Sequence, residues 1–219
     1  MKLEKAKGTR DLLPSEAIPR QAILDKLRKT FELYGFSPAE TPILERYETL
    51  ASKYAGGAEI LKETFKLKDQ GNRELGLRYD LTVPLCRLVG MNPQIKMPFK
   101  RYQIGPVFRD GPVNLGRYRE FYQCDVDIIG SKSMLADAEL LALASDVFKE
   151  LKLKVNLNVN NLKLLNSVLE YAGVKDNKDS VLLTLDKLDK IGLDAVKTEL
   201  KQKNIPESSI KKLIEIINL

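Results

Sequence analysis

The chain has 219 residues, 43% of them hydrophobic, so it can bury a core of its own and fits one domain or one and a half. Its net charge of +6 comes from 36 basic and 30 acidic residues that are mostly interspersed, which indicates a solvated surface and does not by itself argue for RNA binding. Histidine and tryptophan are absent, which disfavours triad hydrolases and zinc enzymes, so we expect no metal site and chemistry that relies on Arg, Asp, Glu, Gln and Thr.

The first residues, MKLEKAKGTRDLLP, carry neither an apolar signal core nor a twin-arginine signal. No later run approaches the ~18 apolar residues that a membrane span needs. We therefore expect a cytoplasmic protein without a membrane partner. Cys86 and Cys124 are far apart and flanked by apolar residues, which predicts small buried thiols and no disulfide.

The first long element is a helix predicted over residues 15–34, with Ser15 as the N-cap and Gly35 at its end. Its apolar residues recur at helical spacing, so one face should be buried. The segment FSPAETPIL follows and carries two prolines, which predicts an edge or interface strand and excludes a central one.

Two further strands are predicted at TFKLKD and ELGLRYDL, with a Gly-Asn turn between them. LTVPLCRLVG then begins a helix, which Thr82 can cap and in which Pro84 occupies the first turn. The sequence RYDLT therefore lies where a strand leads into a helix.

The segments PFKRYQIGPVFRD and YREFYQCDVDIIG are rich in aromatic and β-branched residues, and a polar loop with Gly and Pro separates them. This pattern predicts an antiparallel hairpin. Its long loop is bracketed by Arg109, Arg117 and Arg119. Guanidinium groups suit phosphate oxygens, so a triphosphate or a nucleic-acid backbone is the natural ligand.

The remainder is predicted to be helical apart from one alternating strand at residues 154–160, KVNLNVN. A helix over 133–151, capped by Ser133, should lie on the sheet. No Walker loop and no GxGxxG follows a strand, so the common nucleotide-binding folds are not indicated. The later helices are predicted near residues 161–172, 177–190, 193–203 and 206–217.

Several of these segments resemble one family. GFSPAETPIL resembles the first signature of class II aminoacyl-tRNA synthetases, and LRYDLTVPL resembles the amino-acid-binding strand of the histidyl enzymes. RYQIGPVFRDGPVNLGRYREFYQCDVDIIG is similar to their second signature. KGTRDLLP and the segment around VLLTLDKLDKIG are also similar to histidyl enzymes, in the form found in archaea and eukaryotes.

The resemblance covers the whole chain and implies an α+β fold, in which helices flank an antiparallel sheet of the class II synthetase type. Residues 1–160 would form part of the catalytic core, and residues 161–219 a small helical subdomain of the insertion type. We expect about five or six strands in that sheet. The implied activity is that of a histidine–tRNA ligase, which activates histidine with ATP and Mg²⁺ and transfers it to tRNA(His). The implied assembly is a homodimer that pairs around Phe36 to Leu44.

The second signature implies the residues that bind ATP. Arg109 would be catalytic, because it holds the α-phosphate and stabilises the charge that develops there. Arg117 and Arg119 would assist at the triphosphate, and Phe121 would stack on adenine.

The amino-acid end is implied by RYDLT and by the second hairpin strand. Asp80 and Thr82 would bind the α-ammonium group of histidine, Gln123 would support that end, and Asp127 would face the imidazole. Two carboxylates in one cleft are costly to bury unless they meet a cation, which a ligand with an ammonium group and a ring N–H explains.

Taken singly, these residues allow simpler interpretations. Asp80 can be a helix N-cap or a partner for Arg78, and Asp127 can be a solvated strand residue. Arg117 and Arg119, two residues apart on one face of a strand, can be a surface pair that binds nothing. Only the joint pattern favours the functional interpretation.

The chain also departs from the family pattern. Many class II enzymes have an acidic residue two places after the signature arginine, where this chain has Gly111. The family's later arginine-bearing segments and its anticodon-binding domain are not found, so we expect an N-terminal portion that cannot complete aminoacylation alone. The alternative is a paralogue without aminoacylation activity that serves as a dimeric binding or regulatory module, for example of ATP phosphoribosyltransferase.

Overall fold

The computed structural model describes residues 2–52 and 61–217. The chain divides into two compact units, Met1–Leu157 and Asn158–Leu219. The elements of the first unit are α1 Pro14–Leu33, β1 Ser37–Pro38, β2 Leu44–Arg46, α2 Tyr47–Ser52, β3 Lys66–Lys68, β4 Glu74–Leu77, α3 Thr82–Met91, β5 Phe99–Phe108, β6 Glu120–Ile129 and α4 Met134–Glu150. Those of the second unit are α5 Leu162–Tyr171, α6 Lys178–Leu185, α7 Leu188–Ile191, α8 Leu193–Gln202 and α9 Glu207–Ile217.

Helix α1 begins one residue earlier than its sequence suggests. Leu13 occupies the N-cap position without a side-chain cap, and Pro14 is the first helical residue. Proline is favoured at that position because its ring presets the helical φ, and because an N–H at the first helical position would have no partner within the helix. The prediction of Ser15 as the N-cap is therefore wrong, whereas the predicted end of the helix before Gly35 is confirmed.

The six strands of the described residues form two three-stranded sheets, of order β1-β5-β6 and β2-β4-β3. The predicted hairpin is present, because β5 and β6 pair antiparallel over ten residues each. Strand β1 pairs in parallel with β5 at the edge of its sheet, as the two prolines of FSPAETPIL suggested. We expected a single antiparallel sheet. The structure has two sheets instead, and one pair of strands, β1 and β5, is parallel.

Helices α1 and α4 cover one face of the β5–β6 hairpin. Leu24, Leu27 and Phe31 of α1 form a core with Leu143 of α4 and Tyr102 of β5. Ser133 caps α4 by accepting a hydrogen bond from the Leu135 amide, which confirms the predicted cap. Since successive strand residues face opposite sides, the other face of the hairpin is left for residues of different chemistry.

Two predictions based on local pattern are wrong. Residues 154–160 form no strand, because neither sheet of the described chain offers them a hydrogen-bonding neighbour, and Val155, Leu157 and Val159 are exposed. Cys86 and Cys124 are exposed rather than buried. Apolar neighbours in sequence do not decide burial, since adjacent residues of a strand or helix point in different directions.

The unit Asn158–Leu219 has an aliphatic core, in which Val181, Leu200 and Leu213 are fully buried. The helix predicted over 177–190 is two helices, α6 and α7, separated by a turn. A cavity of about 690 Å³ lies within this unit and is lined mainly by leucine side chains. Within residues 2–52 and 61–217, no helix is both long enough and apolar enough to cross a membrane.

Candidate functional site

The face of the hairpin that α1 and α4 leave uncovered is polar. Arg101 of β5 lies opposite Asp127 of β6, and Gly105 lies opposite Gln123. Cross-strand partners point to the same face, so these side chains share it with Phe121. The structure therefore brings together three of the residues that the sequence predicted for a ligand site: Phe121, Gln123 and Asp127.

The RYDLT segment leads into helix α3, which begins at Thr82. The Asp80 carboxylate accepts hydrogen bonds from the amides of Thr82 and Val83, at 3.1 and 2.9 Å. Asp80 thus pairs the first two amides of α3 from the position before the N-cap residue Leu81, and the prediction that Thr82 is the cap is wrong. An aspartate caps well because its oxygen reaches the first free N–H groups and its charge suits the helix N-terminus.

Arg78 is bonded to backbone carbonyls. Its guanidinium donates to the carbonyls of Thr41 and Pro106, at 2.7 and 2.8 Å. It lies against β5 where Gly105 leaves room, since a Cβ at Gly105 would come within 2.6 Å of Arg78 Nη2. Arg78 therefore holds strand β5 to the segment before β2.

A buried ion pair lies beside Asp80 and was missed in the sequence. Arg101 is fully buried, and its Nη2 lies 3.1 Å from Asp127 Oδ2. Burial lowers the pKa of Arg101, and the Asp127 carboxylate opposes that shift. Burial also raises the pKa of Asp127, with Arg101 opposing and Asp80 adding to the rise. The Asp127 side chain is 26% exposed, so the alternative of a fully solvated strand residue is excluded.

Two acceptor atoms on this face are buried and make no hydrogen bond of good geometry within the described ranges: Gln123 Oε1, and Asp127 Oδ2, which has the ion-pair contact with Arg101 Nη2 at 3.1 Å. Buried polar atoms in folded proteins are nearly always paired, because an unpaired acceptor has lost its water without replacement. Such atoms at a polar face indicate a site for a ligand that carries hydrogen-bond donors.

Arg109 stands at the rim of the hairpin between two aromatic rings. Its guanidinium lies 4.3 Å from the Tyr79 ring centroid and 4.9 Å from that of Phe121. These contacts hold a cation by the negative faces of the rings without neutralising its charge. Phe121 thus supports Arg109 in this structure, and Tyr79 is a supporting residue that the sequence analysis did not name.

Arg117 and Arg119 lie at the same loop, each paired with a carboxylate. Arg117 Nη2 is 2.9 Å from Glu63 Oε1, and Arg119 Nη2 is 3.2 Å from Asp110 Oδ1. Glu63 packs against Gly111, where a Cβ would approach its Oε1 to 2.8 Å. A carboxylate therefore lies beside the position at which the chain itself has glycine.

The N-terminal KGTRDLLP segment contacts the end of the loop that leads into β6. The Gly8 carbonyl accepts a hydrogen bond from the Arg119 amide at 2.8 Å. Gly8 has φ of +84°, and a Cβ there would lie 2.7 Å from Arg119 Cγ. Arg10 stacks 4.8 Å from the ring centroid of Tyr118. The segment therefore helps to position Arg119 and its neighbours.

The comparison with known families decides what this arrangement belongs to. The family model described as histidyl-tRNA synthetase matches residues 8–219. The chain belongs to the histidyl-tRNA synthetase family. Within the part of the chain that the structure describes, no group of three or more potential metal-ligating side chains occurs.

Individual relatives agree with this family. Histidine–tRNA ligase 1 of Bacillus cereus is 50% identical over 208 residues, which are 94% of this chain and 49% of the relative. The crystal structure of histidyl-tRNA synthetase from Nostoc sp. PCC 7120 is 30% identical with a TM-score of 0.81, over 100% of this chain and 49% of that one. The chain thus spans about half the length of these relatives.

A second structure, described as an ATP phosphoribosyltransferase regulatory subunit/histidyl-tRNA synthetase from Bacillus halodurans C, has a TM-score of 0.83 at 26% identity. It covers 98% of this chain, which covers 55% of it. These neighbours confirm the α+β fold of the class II synthetase type. The relatives named here are bacterial, so the expected similarity to the archaeal and eukaryotic form is not confirmed.

Proposed function

We propose that this chain supplies the histidine-binding and ATP-binding residues of a histidine–tRNA ligase, which forms histidyl-adenylate and transfers histidine to tRNA(His). The observation that carries the proposal is the buried acceptor Gln123 Oε1, which lacks a donor within the described ranges, on the same face as the partly buried Asp127 carboxylate and bordered by Asp80. Histidine offers donors at both ends, an α-ammonium group and a ring N–H. Asp80 and Thr82 would take the ammonium group with support from Gln123, and Asp127 the ring.

Arg109 is proposed to act at the α-phosphate of ATP, which enters as the magnesium complex. Attack by the histidine carboxylate builds negative charge on that phosphate, and a guanidinium held in place by two rings can stabilise it without reorganising. No proton-transfer group is required, which suits a chain without histidine. Arg117 and Arg119 would exchange their carboxylate partners for phosphate oxygens, because ion pairs near the surface are weak.

The test separates the two ends of the site by equilibrium binding. Asp80→Asn is the sharper variant at the amino-acid end, because asparagine caps a helix as well as aspartate does while removing the charge. We expect it to weaken L-histidine binding about tenfold, the effect of ~1.4 kcal/mol, and to leave ATP binding unchanged. Arg109→Ala should weaken ATP binding and leave L-histidine binding unchanged.

Histidine-dependent ATP–pyrophosphate exchange, measured with the chain fused to the remaining half of the Bacillus cereus relative, provides the catalytic readout. Arg109→Ala should lower the rate by about 10²–10³, whereas Asp80→Asn should mainly raise the KM for histidine. Circular dichroism of both variants is the folding control. An exchange rate for Arg109→Ala within about threefold of the parent would show that Arg109 is structural and would defeat the assignment.

We propose a cytoplasmic homodimer that pairs around Phe36 to Leu44. Strand β1 lies at a sheet edge, and the exposed apolar residues Ile43 and Leu44 follow it in the chain, with Leu44 beginning β2 at the edge of the other sheet. Exposed apolar residues at an edge strand favour pairing with a second copy. Sedimentation velocity at tens of micromolar should show a dimer that Leu44→Glu dissociates, and a parent that sediments as a monomer would contradict this.

The second candidate is a regulatory module without aminoacylation activity, favoured by the neighbour from Bacillus halodurans C. The joint presence of Arg109, Asp80, Thr82 and Gln123 supports the ligase instead, because a module that only senses histidine does not need the α-phosphate arginine. Histidine binding without any binding of ATP or of a non-hydrolysable histidyl-adenylate analogue would favour the regulatory module.

A further inference from the structure

Arg101 is the largest fully buried side chain in the described part of the protein, and it is charged. Its Nη2 donates to the carbonyl of Leu81 at 3.0 Å and lies 3.1 Å from Asp127 Oδ2. Leu81 directly follows Asp80 and occupies the N-cap position of α3. One guanidinium nitrogen therefore connects the strand that carries Asp127 to the turn that carries Asp80.

Stability alone does not explain this arginine. Its Nε and Nη1 are buried and find no hydrogen-bond partner among residues 2–52 and 61–217. An apolar side chain of similar volume would be at least as stable at such a position, because desolvating a cation costs several kcal/mol, about as much as its ion pair returns. A group that is costly in the folded protein is expected where a ligand site needs it.

We propose that Arg101 is a positioning residue of the amino-acid site, which fixes the separation of the Asp80 and Asp127 carboxylates and keeps Asp127 a hydrogen-bond acceptor. This inference rests on the proposed histidine-binding function. Without Arg101, Asp127 would stand partly buried with the Asp80 carboxylate as its charged neighbour. Like charges and burial both favour protonation, and a protonated Asp127 would accept from the ring N–H of the ligand without the charge that strengthens that hydrogen bond.

The predicted consequence is selectivity. A ligand with the shape of histidine but no ring N–H, such as β-(2-thienyl)alanine, should gain nothing from an ionised Asp127. Arg101 would thereby help to set which amino acid binds, although it touches the ligand only through Asp127. The groups that act on Asp127 are Arg101 of β5 and Asp80 before α3, and Asp125 of β6 acts on Arg101.

The first experiment needs no ligand. With ¹³C-labelled aspartate, the Asp127 carboxyl should be ionised at pH 7 in the parent, and its pKa should rise by at least one unit in Arg101→Met. Arg78→Met is the matched control, because it removes another buried arginine whose hydrogen bonds go to carbonyls. An Asp127 that is protonated at pH 7 in the parent overturns the inference, as does an equal rise in both variants.

The second experiment measures binding of L-histidine and β-(2-thienyl)alanine by calorimetry. We expect Arg101→Met to weaken histidine about tenfold while thienylalanine changes less than twofold, and Arg101→Lys to recover part of the difference. An equal loss for both ligands indicates a structural role and overturns the inference. If Arg101→Met does not fold, binding to Arg101→Lys and the titration of Asp127 in the parent still test the role of Arg101.

The two experiments separate this inference from the proposed function. A parent chain that binds no histidine speaks against the proposed function, whereas the titration of Asp127 still tests its control by Arg101. Histidine binding in the parent with unchanged selectivity in the arginine variants sinks the role of Arg101 alone.

Discussion

The two units of the chain bury different kinds of side chain. In the unit Met1–Leu157, Glu45, Arg78 and Arg101 are at least nine-tenths buried, whereas the helical unit surrounds a core of Val, Leu and Ile. Thr184, a buried polar side chain of the helical unit, is satisfied by accepting a hydrogen bond from Lys203 Nζ at 2.6 Å. Buried charge costs stability unless it is well paired, so its concentration in one unit supports the proposed ligand site there.

The comparison predicts the largest mutational loss in the aliphatic core. Leu213→Ala should lower the free energy of unfolding by about 3 kcal/mol, because Leu213 is fully buried and its removal leaves a cavity. Leu183→Ala is the control, since Leu183 is 66% exposed on the same unit. Urea denaturation followed by circular dichroism measures both. A loss below about 1 kcal/mol for Leu213→Ala would mean that this core is loosely packed.

The next loss should come from a buried ion pair of the sheet-bearing unit. Arg87 binds Glu45 through two nitrogens at 2.6 and 3.1 Å, and the Glu45 side chain is 6% exposed. Arg87→Met leaves a buried carboxylate unpaired and should cost about 2 kcal/mol, less than a fully buried pair because Arg87 is partly exposed.

Arg46→Met provides the matched control for Arg87→Met. Arg46 pairs with Glu48 at 2.8 Å, but both side chains are at least 70% exposed. Its loss should change stability little, because water already solvates both charges. Equal effects in the two variants would show that burial of the carboxylate does not matter here.

A loss of about the same size is expected at Gly8, where the N-terminal segment meets the arginine loop. Gly8→Ala should cost about 2 kcal/mol, because the new methyl group would meet Arg119 Cγ at 2.7 Å on a backbone with φ of +84°. Gly116→Ala isolates the backbone contribution, since Gly116 has φ of +79° and a methyl group there would meet nothing within 4 Å. Thermal unfolding should place Gly8→Ala below Gly116→Ala, and the reverse order would contradict the close contact.

Local pattern sufficed for much of this fold. Helix α1, helix α4 and the β5–β6 hairpin follow from periodicity and loop chemistry that lie within each segment. Residues 154–160 have the alternation of a strand but form none, because a strand also requires a neighbouring edge, which a local pattern cannot supply.

The candidate site, like the fold, could be predicted only in part from the sequence. Phe121, Gln123 and Asp127 alternate along β6, so their common face follows from the strand period. Arg101 was missed because an isolated arginine in a strand is normally solvated, and its contact with the Leu81 carbonyl before α3 joins residues far apart in the sequence. The available signal was its alternation with Tyr102 and Ile104, which assigns Arg101 to the face opposite the aromatic core.

The smallest expected effect is the response of the helical unit to acid. Glu199 accepts from Lys187 and Thr184 and lies 3.1 Å from Lys203, and these partners lower its pKa from 4.5 to about 2. A carboxyl whose pKa is lower in the folded than in the unfolded chain stabilises the folded state at any pH above its pKa in the unfolded chain. That contribution should be lost as pH falls from about 4.5 towards 2, because protons then bind the unfolded chain more readily. The comparison of Glu199→Gln with the parent by thermal unfolding at pH 6 and pH 3 tests this. The variant should differ from the parent at pH 6 and approach it at pH 3, and a difference that stays constant would show that the lysine contacts of Glu199 do not depend on its charge.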